Sequence, residues 1–287
     1  MDLAAPTSEL VRLWQRDWAL RSRSTSDPQQ GAHFEDTTFA IRIAGREIGV
    51  VALEITETAN LIDLWLMPGE RGHGYARRAI SAAEDLCRRH GARNVRVAVR
   101  AGDSVATVLF SHYALVASHL TGSVAGPAAI PEGIVHRPMR ATEFPTWRDD
   151  CVEEYAQQSA YAYGLSPAVT RPVALRAINQ AIPDGVSNDT NEIWVLEAEA
   201  QTVATLWLRI DDRPRQVYIQ NIETLPAHRR KGYAQASMKL AQERAHAHSL
   251  PKVRLNVFAH NLPARRLYDR MGYETAVEFR IKDLPPE

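Results

Sequence analysis

The fold is decided by two stretches that share one pattern: RGHGYARRAISAAEDLCRRHGARNVRVAV at residues 71–99 and RRKGYAQASMKLAQERAHAHSLPKVRLNV at residues 229–257. Both begin with a basic residue, place Gly-Tyr-Ala at the same point and end in an alternating apolar run. The offset of 158 residues (229 − 71) persists downstream, where Ala106 falls on Ala264. Because this period is far too long for a solenoid, the pattern predicts a duplicated domain.

The same order of elements is predicted around each stretch. A hairpin and a third apolar strand precede the glycine turn, and an amphipathic helix follows it. The strands before the turns are predicted at residues 38–43, 48–53 and 61–67 in the first copy, and at 193–196, 203–208 and 217–225 in the second. Strands and helices in this mixed order favour the α/β class, with one mixed sheet flanked by helices in each domain.

The predicted domain boundaries follow the composition of the chain. Residues 122–133 are rich in Gly, Pro and Ala, which predicts a linker. The N-terminal domain then covers residues 1–121 and the C-terminal domain residues 134–287. A strand from residue 134 and a long helix at 147–163 are predicted to open the second domain.

Composition narrows the class of protein. A chain of 287 residues is long enough for two domains, and its 34 basic residues balance 34 acidic ones. This neutrality argues against a general nucleic-acid or membrane binder, and no apolar run approaches the roughly 20 residues that cross a bilayer. No secretion signal is visible, and Cys87 and Cys151 lack metal-ligand spacing. We therefore expect a reduced, cytoplasmic protein without a metal, and the sequence does not indicate its oligomeric state.

The turn ahead of each helix has the chemistry of a phosphate-binding loop. In both copies Pro-x-x-Arg-x-x-Gly-x-Ala leads from a strand into the helix. The glycine allows close backbone approach, and the helix N-terminus offers unpaired N–H groups to an anion such as a pyrophosphate. The predicted cofactor-binding residues here are Leu66, Met67, Arg71, Gly72, His73, Gly74, Tyr75 and Ala76 in the first copy, and Thr224, Leu225, Arg229, Arg230, Lys231, Gly232, Tyr233 and Ala234 in the second.

With a second motif downstream, the chain resembles the GNAT superfamily of acetyl-CoA-dependent N-acetyltransferases. The family signature Gln/Arg-x-x-Gly-x-Gly/Ala is matched from Arg71 and from Arg229, and Asn-x-x-Ala-x-x-Leu-Tyr-x-x-x-Gly-Phe/Tyr is matched from Asn261. The resemblance covers about residues 38–117 and essentially all of 134–287. It implies two tandem GNAT-like domains, acetyl-CoA as cosubstrate, and the primary amine of a small molecule or peptide as acceptor.

Comparison of the two copies assigns catalysis to the second. Tyr268 corresponds to Phe110, and Glu223 to Trp65. The resemblance implies that the tyrosine at position 268 protonates the leaving thiolate, a proton that Phe110 does not have. An alkyl ammonium has a pKa of about 10.4, so the acceptor also needs a base or a water relay. We therefore expect the first domain to be catalytically silent.

Several roles stay open at this stage. Glu223 is the preferred base, with a strand-surface carboxylate as the alternative. Asn221 or Gln220 could hold a relay water instead, and strand alternation places Asn221 on the same face as Glu223. Asn261 either orients the pantetheine of the cofactor or caps a helix. Tyr268 is either the proton donor or a packed aromatic residue.

The acceptor and the role of the first domain are open as well. Tyrosines between residues 155 and 163 either form an aromatic wall for a cationic amine or pack in the core. Glu153, Glu154 and Asp184 hint at a cationic acceptor, although charges on a helix face usually serve solvation. The first domain either binds acetyl-CoA silently or has a structural role. The alternative to an enzyme is a non-catalytic acyl-CoA sensor.

Overall fold

A computed structural model describes residues 1–22, 38–183, 185–186, 188 and 190–285. The chain divides into two compact units, one formed by Met1–Leu115 with Val277–Glu287 and the other by Val116–Ala276. Each unit has a mixed sheet flanked by helices, which confirms the predicted α/β class. Within the described ranges, no helix combines the length and the apolar character that a membrane span requires.

The predicted elements form close to their expected positions. In chain order the first half contains β1 (Asp2–Ala4), α1 (Ser8–Ser22), β2 (Thr38–Ile43), β3 (Arg46–Glu54), β4 (Thr58–Leu66), α2 (Tyr75–Arg89), β5 (Asn94–Arg100) and α3 (Ser104–Leu109). The remainder contains β6 (Ala114–Ser123), β7 (Ile134–Pro138), α4 (Phe144–Tyr163), α5 (Pro167–Ala181), β8 (Asn191–Ala198), β9 (Gln201–Asp211), β10 (Gln216–Thr224), α6 (Tyr233–Ala247), β11 (Lys252–Phe258), α7 (Leu262–Arg270) and β12 (Glu274–Asp283).

The two sheets have equivalent topology. The strand order in the first unit is β1-β2-β3-β4-β5-β12, with β4 and β5 parallel and the other neighbours antiparallel. The order in the second unit is β7-β8-β9-β10-β11-β6, with β10 and β11 parallel. In both units the strand before the glycine turn therefore pairs with the strand after the following helix.

The last strand of each unit comes from the other half of the chain. β12 pairs with β5, where Phe279 lies opposite Ala98, and β6 pairs with β11, where Leu120 lies opposite Leu255. The domain boundaries predicted after residue 121 and before residue 134 therefore differ from the compact units, and β6 extends into the predicted linker. This exchange of β6 and β12 between the units is not visible in the sequence, because each strand follows the last helix of its own repeat, as it would without an exchange.

Helices bury apolar side chains on both faces of each sheet. In the first unit α2 covers one face with the stripe predicted from the sequence, and α1 covers the other. In the second unit α6 covers one face, while α4 and α5 cover the other. The two faces matter for function because they separate the residues predicted to carry the chemistry.

Candidate functional site

The parallel strands of the second unit separate at the bulge in β10. Pairing joins residues 217–219 of β10 only to residues 253–255 of β11, although both strands continue for several residues beyond. The register of β10 against β9 shifts between Ile219 and Asn221, so Gln220 is the bulged residue. Beyond the bulge, none of the described residues pairs with β10 on its β11 side, and its backbone groups there are able to bond to a ligand.

The turn after β10 presents the N-terminus of α6. A 3-10 turn at Pro226–His228 follows the strand, and Gly232 takes the N-cap position with φ 88°. No side chain in the described part of the chain caps this helix, so the first backbone N–H groups of α6 are available to an anion. Left-handed backbone of this kind favours glycine, which explains the residue type at position 232.

The arginine of the signature stabilises the turn through a hydrogen bond from its side chain to the backbone just before the turn. Arg229 Nε donates to the carbonyl of Thr224 at 3.2 Å, and Arg71 Nε donates to the carbonyl of Leu66 at 3.0 Å. The next residue in the second unit, Arg230, is exposed and adopts φ 64°, which costs a non-glycine residue about 1–2 kcal/mol. Backbone strain of this kind concentrates at ligand sites.

The first unit repeats the splayed strands and the turn. Pairing joins residues 58–61 of β4 to 94–97 of β5, a 3-10 turn spans Pro68–Glu70, and Gly74 caps α2 with φ 77°. The predicted cofactor residues thus lie in equivalent places: Leu66 and Met67 or Thr224 and Leu225 before the turn, Arg71, Gly72, His73 and Gly74 or Arg229, Arg230, Lys231 and Gly232 within it, and Tyr75 and Ala76 or Tyr233 and Ala234 where the helix begins.

Asn221 and Glu223 lie on one face of β10. Their partners on β9 are Trp207 and Thr205, respectively, and Thr205 accepts a hydrogen bond from Trp147 Nε1 of α4 at 3.3 Å. Strand alternation therefore places both polar side chains on the face that α4 covers.

A third polar residue, Glu154 of α4, joins this pair. Its Oε2 lies 3.5 Å from Nδ2 of Asn221, and burial raises its pKa. Burial also raises the pKa of Glu223, with further contributions from the negative charges of Glu154 and Asp150, while Arg229 opposes the shift. Neither Glu154 nor Glu223 forms a salt bridge with any part of the chain that the structure describes.

Sequence reasoning mentioned Glu154 but did not place it in the site. A usable signal was present, because Trp147 and Cys151 are buried and position 154 continues their spacing of four and three residues. A carboxylate on the inner stripe of a helix is unusual and points to a site. Asp184, named for the same charge, lies outside the described residues.

Tyr268 lies on the opposite face of the sheet, in the core beneath α6. Only 4% of its surface is exposed, and its ring centroid is 6.1 Å from that of Tyr273. Burial raises the pKa of its hydroxyl to about 12, and this hydroxyl forms no hydrogen bond with the described residues. Phe110 is equally buried in the first unit. The ring therefore packs as an aromatic core residue, and the hydroxyl is what distinguishes the two units at this position.

Asn261 has a structural contact that accounts for its place in the motif. Its side-chain oxygen accepts a hydrogen bond from the backbone N–H of Ala264 at 3.2 Å and caps α7. Asp103 caps α3 in the same way through Ala106 at 2.9 Å. The difference between Asn and Asp therefore preserves the cap in both units.

In the first unit, apolar side chains fill the face that corresponds to the one beside Glu223. Trp65 occupies the position equivalent to Glu223, is 6% exposed, and packs with Leu10 and Trp14 of α1. Asp63, which is equivalent to Asn221, accepts a hydrogen bond from Trp14 Nε1 at 2.8 Å. This face consequently has neither a free carboxylate at the Glu223 position nor an open space beside it.

The tyrosines of α4 form an aromatic group with the end of β11. Tyr155 and Tyr163 lie 6.3 and 6.5 Å from the ring of Phe258, which stacks on His260 at 5.6 Å. Tyr161 contacts His260 at 4.5 Å and is 75% exposed. These rings therefore form a partly exposed wall rather than a core cluster.

The described part of the chain contains no group of three or more His, Cys, Asp or Glu residues that could hold a metal ion. Both cysteines are buried and reduced, and burial raises the pKa of Cys87 to about 11 and that of Cys151 to about 12. These thiols therefore stay protonated at neutral pH.

The family model described as "Acetyltransferase (GNAT) family" matches residues 7–112 and 148–273. The chain belongs to the GNAT acetyltransferase family. The two matched regions include both glycine turns, which confirms the predicted tandem GNAT architecture. Membership makes the chain an acetyltransferase by family, and acetyl-CoA is the donor that GNAT enzymes generally use.

Relatives and solved structures agree with this assignment. Mycothiol acetyltransferase of Streptomyces griseus is 26% identical over 252 residues, covering 83% of this chain and 76% of that protein. The uncharacterized N-acetyltransferase YycN of Bacillus subtilis is 26% identical over 144 residues, covering 49% and 92%. A GCN5-related N-acetyltransferase from Sphaerobacter thermophilus matches with TM-score 0.62, 15% identity and coverage of 99% and 96%. A tandem GNAT protein from the clavulanic acid biosynthesis pathway matches with TM-score 0.57, 16% identity and coverage of 99% and 98%. The two structural matches support the fold alone.

Proposed function

We propose that the second unit transfers an acetyl group from acetyl-CoA to the primary amine of a small molecule or peptide. The observation that carries this proposal is the difference between equivalent faces of the two sheets. The second unit places Asn221 and the half-buried Glu223 on β10, where Glu223 has no salt bridge with the described residues, whereas the first buries Trp65 and engages Asp63 with Trp14.

The residues around the splayed strands fit acetyl-CoA. The uncapped N-terminus of α6 suits a diphosphate, with the exposed Arg230 and Lys231 beside it. The edge of β10 beyond Gln220 offers backbone groups that suit the amides of pantetheine. When bound, acetyl-CoA supplies the acetyl group as a thioester. Arg71, Gly74 and the N-terminus of α2 offer the same diphosphate chemistry in the first unit, where binding would be silent.

Glu223 acts as the base that removes a proton from the acceptor ammonium. An alkyl ammonium with a pKa of about 10.4 is almost fully protonated at neutral pH. The raised pKa of Glu223 reduces the difference between its pKa and that of the ammonium, which makes the proton transfer less unfavourable. Asn221, on the same face of β10, holds the amine or a relay water.

Tyr268 supplies the proton to the departing sulfur from the other face of the sheet. Its raised pKa keeps the phenol protonated, and the burial that causes this shift would also raise the pKa of a thiol beside it. Glu223 takes one proton from the ammonium, and the neutral amine then attacks the thioester. As the C–N bond forms and the C–S bond breaks, Tyr268 gives its proton to sulfur, and the second proton that nitrogen loses returns to the tyrosinate through water. Solvent then removes the proton from Glu223.

A thiol-release assay with acetyl-CoA and a panel of amines tests the proposal. We expect amine-dependent release in the wild type and a loss of about 10²- to 10⁴-fold in kcat for Glu223→Gln. The exposed Glu153→Gln serves as a matched control on α4. Turnover that survives both Glu223→Gln and Tyr268→Phe contradicts the assignment. Acetyl-CoA binding without turnover on any amine favours the non-catalytic sensor.

A further inference from the structure

Glu154 is a half-buried carboxylate without a positive partner in the described chain. Its one hydrogen bond, from Asn221 Nδ2, is long at 3.5 Å. Arg229, the cation that acts on it electrostatically, already donates to the Thr224 carbonyl through Nε. Half-buried carboxylates are costly unless a cation or several donors satisfy them. The protein alone therefore leaves Glu154 incompletely satisfied.

The neighbouring Asn221 also has a side-chain oxygen that lacks a hydrogen-bond donor. Its Oδ1 is completely buried and accepts no hydrogen bond from the described residues. A buried amide oxygen without a donor is rare in native structures. Glu154 and Asn221 thus lie side by side on different elements, and each has an acceptor that lacks a full set of donors in the described chain.

We propose that Glu154 is a specificity-determining residue that binds a second positively charged nitrogen of the acceptor, so that the site prefers small diamines to monoamines. This inference rests on the proposed function and adds the class of acceptor to it. An alkyl ammonium carries three N–H donors that can satisfy Glu154, and a turn of the Asn221 amide would release Nδ2 from Glu154 and bring its oxygen to the same nitrogen.

The two carboxylates have different tasks in this arrangement. Glu223 receives the proton from the nitrogen that is acetylated, and its negative charge is lost in that step. Glu154 pairs with the nitrogen that remains an ammonium, and the positive charge of that nitrogen favours the ionised carboxylate. Asn221 and Glu223 are two residues apart on β10, which corresponds to about 6.6 Å between their backbones. Glu154 lies beside Asn221, so the two nitrogens must be separated by a short alkyl chain.

The aromatic wall supports a cationic acceptor independently of the carboxylates. Tyr155 follows Glu154 directly in α4, is 46% exposed, and packs beside Phe258 at the end of β11. Aromatic faces attract ammonium groups and cover their alkyl chains. The aromatic wall and the two glutamates therefore both favour a cationic amine as acceptor.

The test compares putrescine, which carries two amines, with butylamine, which carries one. We expect kcat/KM of the wild type to favour putrescine by about 10- to 100-fold, because a hydrogen bond to a charged group contributes to binding on this scale. Glu154→Gln should lose most of this preference through a raised KM for putrescine. Glu154→Asp should keep part of it, and Glu153→Gln, also on α4, should keep all of it.

The outcomes separate this inference from the function on which it rests. Equal use of the two amines by the wild type, or a preference that survives in Glu154→Gln, overturns the role of Glu154 while acetyl transfer stands. Failure to acetylate any amine overturns both. Calorimetric binding of acetyl-CoA to each variant establishes that a lost preference does not come from misfolding, because the donor should still bind normally.

Discussion

Trp65 in the first unit and Glu223 in the second occupy the same repeat position but have opposite surroundings. Trp65 is packed against α1, whereas Glu223 is half-buried, feels the charge of a second glutamate, and forms no salt bridge within the described ranges. Both units keep the turn and the splayed strands, so the difference lies on the face where an acceptor would bind. Under the proposed function, the duplicated fold keeps the glycine turn and splayed strands for the donor twice and the polar face for the acceptor once.

Trp14→Ala should destabilise the first unit without abolishing turnover. The substitution removes a buried indole and its hydrogen bond to Asp63, and a loss of about 3–5 kcal/mol is typical for a buried tryptophan. Leu13→Ala changes the neighbouring residue of α1, which is 43% exposed, and should cost far less. Urea unfolding measures the loss, and thiol release below the transition measures activity. A Trp14→Ala protein that is stable but inactive would place the chemistry in the first unit.

The pH dependence of kcat/KM should report the ionisation of Glu223. A base must be deprotonated, so activity falls as the pH drops through its pKa. Burial and the charges of Glu154 and Asp150 raise that pKa, so the acid limb should lie above the ordinary glutamate value of about 4.3.

Glu154→Gln should then move the acid limb to lower pH, because it removes one of the negative charges that raise the pKa of Glu223. The control Glu153→Gln should leave the limb in place. Butylamine is the suitable acceptor for this profile, because it has no second ammonium to titrate. An acid limb that stays unchanged in Glu154→Gln argues against Glu223 as the group that titrates.

Tyr268→Phe should lower kcat by about 10²- to 10⁴-fold while the fold is retained. Phe110 shows that phenylalanine packs at the equivalent position of the first unit. Tyr273→Phe removes a second buried phenol from the same core and should leave kcat nearly unchanged. Equal effects of the two substitutions would indicate that Tyr268 acts only in packing.

Lys282→Met should destabilise the first unit, although residue 282 belongs to the second repeat in the sequence. Lys282 Nζ lies 2.6 Å from Oε2 of the buried Glu84, whose Oε1 accepts a 2.6 Å hydrogen bond from Tyr113. We expect a loss of about 1–3 kcal/mol, because Glu84 keeps one donor and loses its cation. Lys252→Met removes an exposed lysine of β11 and is the control. Hydrogen exchange that loosens only in residues 116–276 would contradict the observed pairing of β12 with β5.

The sequence predicts most of what depends on local pattern. The repeat, the strand–turn–helix order and the shared face of Asn221 and Glu223 follow from periodicity. The exchange of β6 and β12 does not, because it depends on which distant edge each strand joins. The packing of Trp14 on Trp65 and the approach of Glu154 to Asn221 also join residues far apart in sequence. A single carboxylate on a helix, such as Glu154 on α4, is therefore only a weak indication of a functional site until the packing of that helix on the sheet is known.

The most direct test of catalysis by the second unit is amine-dependent thiol release from acetyl-CoA in two matched variants, Gly232→Val and Gly74→Val. Each places a β-branched residue at a left-handed N-cap of the phosphate turn, with φ of 88° and 77° respectively, where valine is strongly disfavoured. Circular dichroism should show that both variants are folded. We predict that Gly232→Val loses turnover and that Gly74→Val retains it. Loss of turnover in Gly74→Val with normal activity in Gly232→Val would contradict the account.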